Sequence, residues 1–327
     1  MICRNLNYIS SPYDKRDYKA VSENIASLPL VVDLIQYCSP VKDQGSEGSC
    51  TAFSTIAALE FIGKKNNIDL SLSEQFTYYA TRVNIANGPP IQDSGAYIRD
   101  AVKSTVHYGT CLETIWPYSN LFNIAPSTNA YAEALKHTSI IYSSVVDNNI
   151  ISIKSMLSSG IPIIIGFSCY SNIFTDNVTS SGIIPLSNNN VVGGHAVLLI
   201  GYNESTKLFK FKNSWGTSWG ENGYGYLSYD YFSKNISEAW CISTETDNNV
   251  LISIGITITD PSIKQNLLNN QIISILNDII TNISIASDKS KMSSYFTKLQ
   301  EQNQENRKLS NLISNINMSF DMMEIIN

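Results

Sequence analysis

One cysteine in this chain has neighbours that could make it a nucleophile. Cys50 follows Asp43-Gln44-Gly45-Ser46-Glu47-Gly48-Ser49, and an apolar run with helical spacing comes after it (Ala52, Phe53, Ile56, Ala57, Leu59, Phe61). That spacing places the thiol at the start of a helix, where unpaired backbone N–H groups favour negative charge. The thiolate is the reactive form of cysteine, so this position lowers the cost of making a nucleophile. A thiolate needs a basic partner, and the chain has three histidines. His107 ends a helical pattern beside Tyr108-Gly109, and His137 sits in a polar helix. His195, in Val192-Gly193-Gly194-His195-Ala196-Val197, heads a β-like run behind two glycines. A third block follows, Lys212-Asn213-Ser214-Trp215-Gly216-Thr217-Ser218-Trp219-Gly220.

His195 lies 145 residues after Cys50, and Asn213 lies 163 residues after it. The first separation falls inside the ~130–150 residues expected of papain-like enzymes, and the second slightly exceeds it. In order and spacing, the three blocks resemble the papain family of cysteine peptidases over roughly Asp33 to Tyr231. Ile98-Arg99-Asp100 and Asp14-Lys15-Arg16-Asp17 are closest in pattern to its microbial and viral members. The resemblance implies that Cys50 attacks a peptide carbonyl and forms a thioester acyl-enzyme. His195 would exchange protons with the thiol, the leaving amine and water, and Asn213 would orient its ring. Gln44 and the Cys50 backbone N–H would stabilise the oxyanion, and Trp215 would shield the His–Asn bond. Ser94, Gly95, Ala96 and Gly194 would line the substrate cleft. An endopeptidase is expected, because no His- and Cys-rich occluding loop stands between Cys50 and Tyr97.

The chain departs from the family pattern at several positions. Thr51 replaces a large aromatic and would leave a smaller, more polar cleft wall. Glu47 replaces a cysteine that forms a disulfide in secreted members, and it could raise the thiol pKa or favour basic substrates. Ala96 replaces a glycine and would tighten the cleft. Thr244, Glu245 and Thr246 are the candidates for the floor of the main specificity pocket.

These groups need elements to hold them. Residues 1–28 are polar and turn-rich, and they read as a short propeptide that could occupy the cleft in self-inhibition. Residues 29–249 read as the peptidase domain, of α+β class, with a helical half to about 139 and a β-barrel-like half from 140. Leu30–Leu34 reads as an extended entry strand. Helices are predicted from Cys50 to about Lys64, from about Ser71 with Ser71 or Ser73 as cap, and from Tyr97 to His107, stopped by Gly109. Strands are predicted at Ile161–Phe167, Ala196–Tyr202, Leu208–Asn213 and Gly223–Tyr229. Residues 250–327 lack glycine after Gly255 and proline after Pro261, and Ile272, Ile275, Leu276, Ile279, Ile280 and Ile283 recur at helical spacing. They read as a two-helix extension, either packed on the peptidase body or able to set a homo-oligomeric state.

Bulk composition narrows the functional classes. A net charge of −6, without a basic stripe, argues against nucleic-acid binding. The longest apolar stretch, Ile161–Phe167, is too short to span a membrane. Met1–Tyr8 lacks the apolar centre of a secretion signal. The expected setting is therefore intracellular, or a virion if the source is viral, with the other cysteines reduced. No metal-ligand spacing and no phosphate loop is seen, so no cofactor is expected. Polypeptides are the expected substrates. Two competing functions remain: acyl transfer on the same three residues, and a catalytically silent binding protein that uses the helical extension.

Overall fold

A computed structural model of the 327-residue chain describes residues 4–243, apart from residues 16, 18, 21–26, 120, 140, 146–148, 188 and 189. The helical extension expected over 250–327 lies outside the described residues, as do Cys3, Thr244, Glu245 and Thr246.

The helices are α1 (Cys50–Lys65), α2 (Glu74–Tyr79), α3 (Ile98–His107), α4 (Thr128–Ala134), α5 (Ile150–Ser158), α6 (Asp176–Ser181) and α7 (Tyr229–Asn235). Helix α1 is buried on all sides from Cys50 to Gly63, because small and apolar residues surround its axis. It ends where Asn67 takes a left-handed φ of 62°, with Lys64 and Lys65 in the last turn, where the helix dipole favours cations. Of the two candidate caps for α2, Ser73 performs the role, its Oγ accepting from Phe76 N at 3.0 Å. Helix α3 stops at Tyr108, just before Gly109 at φ 68°.

The strands are β1 (Lys19–Ala20), β2 (Val31–Asp33), β3 (Ile141–Val145), β4 (Ile163–Tyr170), β5 (Ile183–Ile184), β6 (Val191–Asn203), β7 (Leu208–Lys212), β8 (Tyr224–Ser228) and β9 (Ile236–Ser243). Among the described residues they form one mixed sheet in the order β1-β3-β9-β4-β6-β7-β8-β5, with β2 paired to β6. The β-barrel-like half is thus corrected to an open sheet. Its end strands, β1 and β5, are two residues long and each pairs parallel to a single neighbour, so no ladder joins the two ends.

Strand β6 begins at Val191, five residues before the predicted start. Gly193 and Gly194 lie outside the predicted strand, yet they pair with Cys169 and Ser168 of β4. A buried ionic network crosses from the sheet to the helices. Lys212 Nζ at the end of β7 donates to Ser39 Oγ (2.7 Å), which donates to Glu60 Oε2 (2.5 Å) on α1. Lys42 Nζ lies between Glu60 Oε1 (2.8 Å) and Glu74 Oε1 (2.7 Å). Two cations face two carboxylates, which offsets part of the penalty for burying them; burial still pushes the Glu74 carboxyl up and the Lys212 amine down, and the residue after Lys212 is Asn213.

Candidate active site

Cys50 is the first residue of α1, as the sequence predicts, and it is fully buried. The main-chain N–H groups of Ala196, Thr51 and Cys50 itself turn toward its sulfur. Ser49, at the helix cap, makes no capping bond; its hydroxyl pairs with Tyr118 Oη at 2.8 Å. The N–H groups of the first turn are therefore left to the thiol.

His195 stands on β6 and Asn213 follows β7, so antiparallel pairing of these strands brings them together. His195 Nε2 meets Asn213 Oδ1 at 2.8 Å. Since the amide oxygen accepts, Nε2 carries the proton, and in the neutral ring Nδ1 is an acceptor. Nδ1 has no hydrogen-bond partner among the described residues, so it is the nitrogen left for a thiol proton. Trp215 stacks on the imidazole with centroids 4.6 Å apart, Phe167 meets it edge-on at 5.8 Å, and Trp219 packs edge-on against Trp215 at 5.3 Å. The ring is held by aromatic surfaces and by one hydrogen bond.

Gln44 is buried beside the loop that leads to Cys50. Its Oε1 accepts from Ser214 Oγ at 2.6 Å and its Nε2 donates to Glu47 O at 2.8 Å. One N–H of the amide remains for an oxyanion. Ser214 and Tyr118, whose hydroxyl donates to Gln44 O at 2.8 Å, were not singled out in sequence. Serine and tyrosine are too common there to carry a signal.

Two of the departures in sequence lie close to the nucleophile. Thr51 is fully buried within α1. Glu47 turns inward to Gln75 Nε2, 3.2 Å from each carboxylate oxygen. It is not among the main causes of the Cys50 shift, in which the raising effects are burial and, last, Asp93. Burial, opposed by the Gln75 hydrogen bond, pushes the Glu47 carboxyl up to about 7. Its folded form thus holds a proton that the unfolded chain has released above about pH 4.5. The stability Glu47 contributes is fully present below that pH and is lost as pH rises through 7. Glu47→Gln is expected to melt level with the parent at pH 4 and to be more stable at pH 8, by about 3 kcal/mol at most. Thermal unfolding at the two pH values checks this.

Asp93 is a tie that the sequence did not reveal. Its carboxylate accepts the Gly48 N–H at 3.0 and 3.1 Å, the Tyr78 hydroxyl at 2.5 Å and Asn5 Nδ2 at 3.1 Å. Tyr78 Oη in turn accepts from Gly95 N at 3.1 Å. The loop before the nucleophile is thereby fastened to the segment predicted to line the cleft. Within that segment Ser94 is exposed, with its Oγ donating to Gly95 O at 3.1 Å, and Ala96 is half-buried.

Residues 4–8 lie across this site. Arg4 donates to Asp43, to Gly45 O at 3.0 Å and to Trp215 O at 3.2 Å. Gly194 N donates to Leu6 O at 3.1 Å, and Tyr8 N donates to Gly194 O at 3.2 Å. Asn7 Nδ2 donates to Asp93 O at 3.0 Å. Gly95, at φ 69°, could bear no side chain here, since a Cβ would stand 1.9 Å from Asn7 O; at Gly194 a Cβ would stand 2.3 Å from Tyr8 O. With the site covered, burial pushes the Cys50 thiol up to about 12 and the His195 imidazole down to about 4. Both shifts favour neutral forms. The cysteines Cys38, Cys111, Cys169 and Cys241 are buried and unpaired, and no group able to hold a metal occurs among the described residues.

Known proteins resemble this chain in sequence and in fold. The family model described as "Papain family cysteine protease" matches residues 28–245. An uncharacterised peptidase C1-like protein of Acanthamoeba polyphaga mimivirus is 36% identical over 279 residues, covering 75% of this chain and 89% of that protein. Cathepsin K of Gallus gallus is 31% identical over 205 residues, covering 59% of this chain and 56% of that protein. Among solved structures, xylellain, a cysteine protease from Xylella fastidiosa, superposes with a TM-score of 0.67 at 34% identity, covering 73% of this chain and 95% of that one. The bromelain protease of Ananas comosus, solved in complex with the E64 inhibitor, superposes at 0.54 with 26% identity, covering 67% of this chain and all of that one. With a family match over most of its length and a relative at this identity, the chain belongs to the papain family of cysteine proteases.

Proposed function

We propose that this peptidase cleaves internal peptide bonds through Cys50, His195 and Asn213, and that residues 4–8 hold it latent. The observation that carries the reading is the His195 geometry. Nε2 is committed to Asn213, Nδ1 is an acceptor without a partner, and α1 presents a thiol at its first residue. Proton transfer from Sγ to Nδ1 makes the thiolate–imidazolium pair. The thiolate then adds to the carbonyl carbon, and the oxyanion takes the free Gln44 N–H together with the Cys50 N–H. The imidazolium protonates the departing amine and leaves a thioester. Water, deprotonated by His195, releases the acid and restores the thiol.

Endopeptidase action is supported by the path of the N-terminal segment. It passes through the site from Arg4 to Tyr8 and continues to Ser11, so a chain can extend beyond both ends of the cleft. Latency is supported by what that path does to the pair: the segment covers the reacting groups, and burial keeps both neutral.

The test is alkylation by an epoxysuccinyl peptide of the E64 type at pH 5 and pH 7, followed by peptide mapping. Slow labelling confined to Cys50, at a pH where ordinary thiols stay protonated, is the expected result. Fast labelling of the untreated chain would overturn latency. Labelling spread over several cysteines in proportion to their exposure would overturn an activated Cys50.

A further inference from the structure

The part of the N-terminal segment that enters deepest is a side chain. Tyr8 is 7% exposed, and the phenol end of its ring lies against Gly166. A Cβ at Gly166 would stand 2.0 Å from Tyr8 Cζ, and one at Gly194 would stand 2.7 Å from Tyr8 Cδ1. Two glycines on neighbouring strands thus open a recess in the sheet. In register, Gly166 of β4 stands between Ala196 of β6, whose N–H faces the Cys50 sulfur, and Glu238 of β9. The recess therefore begins beside the nucleophile and ends at a carboxylate.

The polar end of the recess is built for a donor. Tyr8 Oη donates to Glu238 Oε1 at 2.8 Å and shares a hydrogen bond with Ser237 Oγ at 2.6 Å. The same Oε1 accepts from Ser11 N at 3.1 Å, while Oε2 is held by Trp240 Nε1 at 2.6 Å. Ser237 Oγ also lies 3.0 Å from Gly166 O, and its single proton serves either that carbonyl or Tyr8 Oη. Both donors to Oε1 come from the N-terminal segment. When that segment leaves, Trp240 keeps the carboxylate in place, but Oε1 faces the recess without a donor. Asp100 of α3 is within electrostatic reach of Glu238, along with Arg99 and Lys103. Arg99 is engaged by Asp14, Asp17 and Pro12 O.

We infer that Tyr8 occupies the side-chain pocket that selects substrates, and that Glu238 tunes this pocket to long side chains ending in a hydrogen-bond donor. Arginine and lysine should be preferred, tyrosine accepted, and leucine and phenylalanine disfavoured, because an apolar side chain covers the half-buried Glu238 carboxylate without giving it a hydrogen-bond donor. This rests on the peptidase reading above. It also moves the specificity-determining acid to Glu238, upstream of the Thr244–Thr246 positions considered in the sequence.

The experiment uses the full chain carrying Tyr8→Ala, which empties the recess and leaves Cys50 intact. Four peptidyl epoxides differing only at the residue that reaches the recess (arginine, tyrosine, leucine or phenylalanine) are compared by their rates of Cys50 alkylation. Melting curves verify that each variant is folded. The arginine probe is expected to react about ten-fold or more faster than the leucine probe, as one charge-assisted hydrogen bond allows. Adding Glu238→Gln should bring that ratio close to one. Equal rates, a lead for leucine or phenylalanine, or a ratio unmoved by Glu238→Gln would overturn the inference while Cys50 labelling still upheld the peptidase reading. Failure of every probe to label Cys50 would overturn both.

Discussion

Replacing Arg4 and Tyr8 by alanine in the full chain is expected to raise the rate of Cys50 alkylation by roughly a hundred-fold at pH 7. These two side chains anchor the two ends of the covering segment. Arg4 binds Asp43, Gly45 O and Trp215 O, and its guanidinium lies 5.9 Å from the centre of the Trp215 ring. Tyr8 fills the recess over Gly166 and binds Glu238. Between them the segment has two main-chain hydrogen bonds to Gly194 and the Asn5 and Asn7 bonds to Asp93. At about 1–2 kcal/mol for each anchor lost, the open form gains about 2–4 kcal/mol, and each 1.4 kcal/mol is ten-fold in population. Alkylation kinetics with the same epoxide on parent and double variant measure it. An unchanged rate would show that residues 4–8 do not limit access to the thiol.

Replacing Cys50 by alanine in that opened chain is expected to lower peptide turnover by about 10⁶, the scale on which loss of a nucleophile acts. The fold should be retained, because alanine fits any space that a buried cysteine fills. The same substitution in the otherwise intact chain isolates His195 for titration. With the segment in place the imidazole should titrate near 4, and with Arg4→Ala and Tyr8→Ala added it should return toward about 6.5. Between those values the covered form binds fewer protons than the open one, so in the alanine variant acid favours release. With Cys50 present, opening moves the proton from sulfur to imidazole inside the pair. The pair then carries one proton in both states from about pH 4 until the imidazolium titrates, and latency should be nearly independent of pH across that window. NMR titration of His195 in the variant, and alkylation against pH in the parent, check the two halves of this argument.

Much of the site was legible because each of its members carries a local signal. Cys50 announces itself through the helix that follows, since an apolar run after two glycines can only start where Ser49 stops being extended or turned. Helices α1, α2 and α3 were readable from periodicity and from Ser73 and Gly109, which act within one turn. Short polar helices such as α6, Asp176–Ser181, carry no such periodicity. The start of β6 was misplaced because Gly193 and Gly194 look like a turn until a second chain segment is seen to need their missing side chains.

The sequence by itself determined the family and singled out Cys50, His195 and Asn213 as the candidate nucleophile with its imidazole and amide partners, because order and spacing along the chain carry that signal. The tertiary structure alone decided the rest. It closed the gap between Asp93 and Gly48, 45 residues apart, and between Gln44 and Ser214, 170 residues apart. It turned Glu47 away from the thiol toward Gln75. It laid Arg4 and Tyr8 over a site whose residues lie far along the chain, with Tyr8 reaching Glu238 across 230 positions. Hydrogen bonds and burial depend on distance in space, and a cleft lined by loops and strands from both ends of the chain exists only once the sheet has set their register.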